Sequence, residues 1–211
     1  MDIFSMDSAF YRFMNKISEL LLVNVLFLSG CLGIITIGPS LTAMYTVVMR
    51  MKRNESGYIG REFWKSYKEN FRQSVVMNIL FLVIGGVLYF DIILSGMIQG
   101  GFGRMLKVIF LFLGILYISV LSYLFAVQSR FENTIKNTIR NAFWMSVGYL
   151  PLTISVLVIE AVPIFIVCIR PSYFWYLLPV LLTVGFSVIG YLCAGIFEHI
   201  FKNYIPEEKN I

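Results

Sequence analysis

Charged side chains are scarce in this sequence. Only 14% of the 211 residues are Asp, Glu, Lys or Arg, whereas 58% are hydrophobic. A soluble domain carries about 25% charged residues, so this chain cannot cover a globular surface with polar groups. The composition therefore excludes an ordinary soluble domain and predicts that much of the protein surface faces lipid.

The side chains that most often carry catalysis or bind metals are scarce as well. There is one histidine, His199, and the three cysteines, Cys31, Cys168 and Cys193, lie in apolar runs without paired spacing. One histidine cannot form a two-histidine metal site, and isolated cysteines in apolar runs are usually packing residues. Neither a Gly-x-Ser-x-Gly elbow nor a Gly-x-x-x-x-Gly-Lys phosphate loop occurs. We therefore predict no catalytic residue, no metal site and no cofactor, and we expect no nucleic-acid partner.

Long uncharged runs are what the sequence has instead. They cover residues 20–49, 73–90, 108–129, 141–159 and 171–197. About 20 apolar residues span the roughly 30 Å hydrocarbon core of a bilayer. The runs predict an all-α, polytopic transmembrane helix bundle that forms a single integral membrane domain over residues 1–211.

The first run is longer than one crossing and too short for two. Gly38 and Pro39 divide it, because proline lacks a backbone donor and suits the first turn of a new helix. The pattern predicts a full span over residues 20–37 and a short second arm over residues 40–49. This arm is either re-entrant or part of a single kinked crossing, so the chain has five full spans plus a half-span.

Few polar residues lie within the apolar runs, and these are candidate functional groups. Glu160 is the candidate carboxylate, because it directly follows the uncharged run 141–159 and apolar residues continue after it to Ile169. We expect it to handle a proton or cation, or to form an interhelical hydrogen bond with Asn24 or Asn78; a neutral or snorkelling side chain near the outer interface is the structural alternative. The break at Gly38 and Pro39 is either an anion site made of free helix amides or a tight packed turn.

The orientation of the chain in the membrane is predicted from the distribution of its Lys and Arg residues. Residues 49–73 carry seven of the seventeen Lys and Arg residues, and cations concentrate on the cytoplasmic side of membrane proteins. This segment, residues 130–140 and the C-terminal tail are therefore predicted to be cytoplasmic. A hairpin in the first run also places the N-terminus in the cytoplasm, as we expect, whereas a single crossing places it outside.

Two cytoplasmic amphipathic helices are predicted at the membrane interface, over residues 58–73 and 130–142. In the first, a basic stripe beside an aromatic stripe is typical of a helix lying in the headgroup plane. Its candidate lipid-interface residues are Arg61, Trp64, Lys65, Tyr67, Lys68, Phe71 and Arg72. In the second, charges and amides at i, i+4 spacing indicate a docking surface, with a solvated connector as the alternative. Its candidate docking residues are Arg130, Glu132, Asn133, Lys136, Asn137 and Arg140.

An internal repeat over residues 58–128 and 129–203 is also indicated. At one constant offset, Phe63 aligns with Phe131 and Arg72 with Arg140. Two copies with the same orientation would be related by an axis along the membrane normal.

Several segments resemble the YesL-like family of bacterial inner-membrane proteins. They are residues 34–40 (IITIGPS) with 43–45 (AMY), Phe63 with 71–73 (FRQ), residues 130–142 (RFENTIKNTIRNA) and the pair Leu150-Pro151. The likeness covers nearly the whole chain. It implies a five-span plasma-membrane protein of unassigned function, often encoded beside genes for carbohydrate uptake and polysaccharide degradation, and it supplies no catalytic residues.

The functional hypothesis from the sequence is an accessory or permease-like component linked to carbohydrate uptake or utilisation, whose partner is a cytoplasmic or membrane component of a transporter. The alternative is an autonomous small-solute transporter that uses Glu160. An enzyme is not expected, because the residues for one are missing.

Overall fold

The computed structural model describes residues 9–55 and 57–204, with side chains from residue 13 onward. The predicted positions of the N-terminus and of the C-terminal tail fall on residues 1–8 and 205–211, outside the described residues. The described part of the chain is helical, with no β-strand, which confirms the all-α class. Its helices are α1 (Ala9–Gly30), α2 (Ile37–Lys52), α3 (Ile59–Met97), α4 (Gly101–Arg130), α5 (Ile135–Gly148), α6 (Leu150–Ile169), α7 (Phe174–Val180) and α8 (Phe186–Phe201).

Six helical segments of the described chain are long and apolar enough to cross a membrane by length and composition. They are Phe13–Gly30, Ile34–Lys52, Ile59–Met97, Gly101–Arg130, Leu150–Ile169 and Pro171–Tyr204. The last of these combines α7 and α8, which are joined by a π-helical turn at Leu181–Gly185. The protein is therefore a membrane protein with several apolar helices, and the predicted half-span is long enough to be counted among them.

Several charged residues lie together at one end of the bundle. Ion pairs there join Arg50 to Glu62, and Arg53 and Arg130 to Glu198. Lys16, near the start of α1, donates to the carbonyl of Met51 at 3.2 Å, so α1 begins at the same end where α2 finishes. We call this region the charged end. Because α1 leaves it and α2 returns to it, the two helices form a hairpin and not a single kinked crossing.

The break within this hairpin lies earlier than predicted. α1 ends at Gly30, not near residue 37, and α2 starts at Ile37, so its 16 residues measure about 24 Å and not roughly 15 Å. Pro39 does lie in the first turn of α2, where its missing N–H costs nothing. Gly38 permits a close approach to α3, since a Cβ there would come within 2.8 Å of the carbonyl oxygen of Ser74.

The turn between α1 and α2 is held by hydrogen bonds from side chains. Asn78 of α3 donates through Nδ2 to the carbonyls of Ile34 and Ile35, at 2.8 and 3.3 Å. Two further bonds run from the hydroxyl of Tyr67 to the carbonyl of Gly30 and from the hydroxyl of Thr36 to the carbonyl of Gly33. These contacts favour the packed-turn interpretation of the break.

The outer side of the same turn is apolar. Leu32 is 91% exposed, Ile34 67% and Ile35 52%. Past Asn78, α3 continues to Met97 for about 28 Å, with mostly exposed apolar side chains. The hairpin therefore extends along only part of α3. The exposed aliphatic side chains of its turn lie on the outer surface of the bundle, beside a part of α3 whose exposed side chains are also apolar.

The predicted interfacial helix over residues 58–73 is not a separate element. It is the first part of α3, which is 39 residues and about 58 Å long, because no glycine or proline interrupts residues 61–84. Its aromatic stripe is partly inside the protein. Phe63 is fully buried and stacks on Tyr67, whereas Trp64 and Phe71 remain exposed.

The predicted helix over residues 130–142 is divided. Arg130 ends α4, residues 131–134 are non-helical and α5 starts at Ile135. Glu132 and Asn133 are therefore not on the helix that carries Lys136, and the continuous i, i+4 rows are wrong. The apolar run 141–159 is likewise broken at Tyr149, because Pro151 cannot extend α5.

The cysteines agree with the sequence analysis only in part. Cys193 is completely buried in the core, as a packing thiol should be, but Cys168 is exposed and Cys31 is half-buried. The packing interpretation was thus too general, because an apolar run has a lipid-facing side as well as a core side.

Replacing Asn78 with leucine should lower stability by about 1–3 kcal/mol, because it leaves two carbonyl groups of the turn unpaired. Thermal unfolding in detergent measures the change. The matched control is Asn15→Leu on the exposed face of α1, for which we expect less than about 0.5 kcal/mol. Equal stability of the two variants would show that the Asn78 bonds are not needed.

Candidate functional site

A polar cleft of about 1280 Å³ lies at the charged end. Its walls are the last turns of α2, the first part of α3, and the chain from the end of α4 to the start of α5. Its charged and amide residues are Arg50, Glu62, Lys65, Glu69, Asn70, Arg72, Gln73, Gln128, Arg130, Glu132 and Asn133. We call it the polar cleft.

The polar cleft brings together the two segments that the sequence analysis treated as separate surfaces. Of the candidate lipid-interface residues, Lys65 and Arg72 line it, and of the candidate docking residues, Arg130, Glu132 and Asn133 do. The others lie outside its lining: Arg61, Trp64, Tyr67, Lys68 and Phe71 on α3, and Lys136, Asn137 and Arg140 on α5.

Amide side chains hold the walls of the cleft in place. Gln73 of α3 donates through Nε2 to the carbonyl of Asn133 at 2.6 Å, and Gln128 of α4 donates to Oδ1 of Asn70 at 3.0 Å. Thr138 of α5 donates to Oε1 of Gln128 at 3.3 Å. The sequence analysis did not identify the roles of Gln73, Asn70 and Gln128, and the only signal for Gln128 was an amide near the end of an apolar run.

The charges of the cleft differ in how they are compensated. Arg50 of α2 pairs with Glu62 of α3 at 3.2 Å, which joins two walls. Within the described residues, Arg72 and Glu132 take part in no ion pair, and both are exposed. One positive and one negative charge in the cleft are therefore available to a ligand.

Behind the cleft, Glu198 connects three helices. It is only 6% exposed and forms ion pairs with Arg53, which caps α2, and with Arg130, which ends α4. A carboxylate at this depth is stable as an ion only when cations surround it. The sequence analysis missed this group, because its partners are distant in the sequence.

Arg53 also affects an exposed neighbour. Its Nε donates to Oε2 of Glu55 at 2.8 Å, and this hydrogen bond lowers the pKa of the Glu55 carboxyl. A lowered pKa in the folded state stabilises the fold above the ordinary pKa of glutamate, and this contribution is lost as the pH falls through the lowered value.

The predicted hydrogen-bond partners of Glu160 are wrong. Its Oε2 lies 2.5 Å from Oγ of Ser122 on α4, whereas Asn78 bonds to the α1–α2 turn. Asn24 is completely buried and is used elsewhere. Its Nδ2 donates to the carbonyls of Leu181 and Leu182, and its Oδ1 accepts from the amide of Ser187. Glu160 does not line the polar cleft.

Comparison with known proteins matches residues 20–92 to the family described as "Protein of unknown function, DUF624". These residues are similar to the DUF624 family, and we call them the DUF624 segment. The DUF624 segment covers the second half of α1, all of α2 and most of α3. It thus contains the α1–α2 turn, both buried asparagines and two walls of the polar cleft.

A second comparison finds a distant relative. The chain is 24% identical over 168 residues to "Uncharacterized protein YteU" of Bacillus subtilis (strain 168). The aligned region covers 76% of this chain and 74% of that protein. No solved structure matches. The two matches confirm the family resemblance predicted from the sequence, and neither the matched family nor the relative is described with a function.

The ion pairs of Glu198 give a prediction for stability. Glu198→Gln keeps the shape but removes the carboxylate shared by two guanidinium groups, so that Arg130 has no carboxylate partner among the described residues and Arg53 keeps only Glu55. Breaking a fully buried pair costs about 3–5 kcal/mol. Because the Arg53 and Arg130 side chains are 18% and 27% exposed, we expect a loss of roughly 2 kcal/mol in chemical unfolding.

The control for that prediction is Glu69→Gln. Glu69 pairs with Lys65 at 4.0 Å with both side chains more than 60% exposed, so its loss should change the unfolding free energy by less than about 0.5 kcal/mol. If Glu198→Gln is as stable as this control, Glu198 does not hold the three helices together.

Proposed function

We propose that this membrane protein is an accessory or permease-like component that docks a segment of a partner protein in its polar cleft. The observation that carries the proposal is the size and lining of the cleft. Small-molecule pockets usually measure about 300–1,000 Å³ and are mostly apolar, whereas this cleft has a volume of about 1280 Å³ and is lined by charges of both signs. Such a lining suits the polar contacts and bridging waters of a protein interface.

The side of the membrane follows from the same charges. Seven of the seventeen Lys and Arg residues lie in residues 49–73, which form the end of α2 and the start of α3, and cations favour the cytoplasmic side. We therefore assign the charged end to the cytoplasm. The partner is then a cytoplasmic protein, or the cytoplasmic face of another membrane protein.

The nature of the partner is supported by the family resemblance alone. Members of the YesL-like family are often encoded beside carbohydrate-uptake and polysaccharide-degradation genes. On this basis the partner is a component of a carbohydrate-uptake system, such as a transporter ATPase or a regulator. Arg72 and Glu132, the two exposed charges of the cleft that form no ion pair within the described residues, would make the first polar contacts with it.

A second candidate function is an autonomous small-solute transporter. The contact of Glu160 with Ser122 favours it, because an ionisable group among apolar helices is a default functional candidate. The cleft and Glu160 are, however, separate, since Glu160 is not part of the cleft lining. The docking proposal therefore accounts for more of the polar residues.

In-cell photocrosslinking tests the docking proposal. A photoreactive residue at Glu69, which lines the cleft, should capture a transporter component or a regulator, identified by mass spectrometry, and growth on a polysaccharide should increase the capture. Arg61 is the matched control position, because it is exposed on the same helix but lies outside the cleft. Adding Arg72→Ala to the Glu69 probe should reduce capture several-fold. Capture of lipid alone, or equal capture from both positions, would contradict docking in the cleft.

A further inference from the structure

Glu160 lies in the middle of α6, in a part of the bundle formed by apolar helices. It is half-buried, and its side-chain hydrogen bond is to Ser122 of the neighbouring helix α4, with 2.5 Å between Oε2 and Oγ. This distance fits donation in either direction. The charges around the carboxyl group therefore decide which atom carries the proton.

Within the part of the chain that the structure describes, no cation compensates a negative charge at this site. Among the described residues, Glu160 takes part in no ion pair. The titratable groups near enough to respond to its charge are Tyr45 of α2, Tyr123 of α4 and Cys193 of α8. All three are neutral when protonated and become negative when they ionise, so none can supply the positive charge that would compensate a carboxylate. An ion without a partner in apolar surroundings is far less stable than the neutral acid.

The single hydroxyl hydrogen of Ser122 also favours a neutral Glu160. A hydroxyl group has one hydrogen to donate and can also accept. Ser122 Oγ lies 3.1 Å from the carbonyl of Ile118 and 2.5 Å from Glu160. If Glu160 is a carboxylate, the single hydrogen of Ser122 can serve only one of these two acceptors at a time. If Glu160 is a neutral acid, it donates to Ser122, and Ser122 donates to Ile118, so that both contacts are made.

We propose that Glu160 is a proton-binding site within the helix bundle, held as a neutral acid that donates a hydrogen bond to Ser122 and thereby joins α6 to α4. The ligand is a proton, bound at a carboxylate oxygen. The inference is independent of docking in the polar cleft, and it supplies the proton site that the second candidate function requires.

Infrared difference spectroscopy on the lipid-reconstituted protein at pH 7 tests the protonation state. The carbonyl stretch of a neutral carboxylic acid is separate from the bands of carboxylates and amides. We expect that Glu160→Gln removes one carboxylic-acid band from the wild-type spectrum. Loss of a carboxylate band with no change in the carboxylic-acid region would overturn the proposal.

A second pair of variants tests whether Ser122 is the hydrogen-bond partner of Glu160. Ser122→Ala should shift the Glu160 band to higher frequency, because the acid loses its acceptor. Ser155→Ala is the control, since Ser155 is exposed on the same helix as Glu160 and its hydroxyl donates to the carbonyl of Pro151 at 3.1 Å. This substitution should leave the band in place. An unshifted band in Ser122→Ala would overturn the assigned contact.

The wild-type protein provides a test that does not depend on folding of a variant. A hydrophobic carbodiimide takes the proton of a neutral carboxylic acid on nitrogen while the carboxyl oxygen adds to its central carbon, and the adduct rearranges to a stable N-acylurea. Peptide mass spectrometry should find this adduct on Glu160 and not on the exposed Glu69. Absence of the adduct on Glu160 would contradict the neutral state.

Discussion

Hydrogen bonds from two buried asparagines to irregular backbone are the interactions on which this bundle depends. Inside a membrane no water is available to a free amide or carbonyl group, so each departure from regular helix needs a partner from the protein. Asn78 provides it for the turn between α1 and α2, and Asn24 for the π-helical turn between α7 and α8. Both asparagines lie within the DUF624 segment.

The polar cleft follows from the same packing. Asn78 holds the turn before α2 against α3, and Gly38 allows α2 to approach α3 closely. The start of α3 therefore lies beside the end of α2. Residues 131–134 then close the cleft opposite α3, tied to it by the bond from Gln73 to Asn133. The polar cleft at one end of the bundle is thus a consequence of a long α3 and a short hairpin beside it.

The fold class could be predicted from the sequence, but several helix boundaries could not. Charge scarcity and uncharged runs suffice for an all-α membrane protein, and Gly38 with Pro39 mark the hairpin. The start of α2 and the end of α1 depend on which carbonyls Asn78 can reach, a tertiary contact without a local signal. The separate helix over residues 58–73 was predicted because its composition changes at Gln73, but composition alone does not end a helix when neither glycine nor proline is present.

The candidate site shows the same limit. Lys65, Arg72, Arg130, Glu132 and Asn133 were selected from the sequence as parts of two separate surfaces. Their meeting in one cleft depends on the packing of α3 against α4. Glu198 and Ser122 were missed because their partners are 145 and 38 residues away in the sequence. Pairing over such separations leaves no periodic pattern that a single sequence could reveal.

The α1–α2 turn can lie in lipid because its polar groups are satisfied inside the protein. Spin labels at Leu32 and at Asn54, an exposed position after α2, test it most directly in reconstituted protein whose three cysteines are replaced by alanine. We expect the label at position 32 to be relaxed by oxygen, which dissolves in lipid, and protected from a water-soluble paramagnetic reagent, with the opposite result at position 54. Equal access of the water-soluble reagent to both labels would contradict the account.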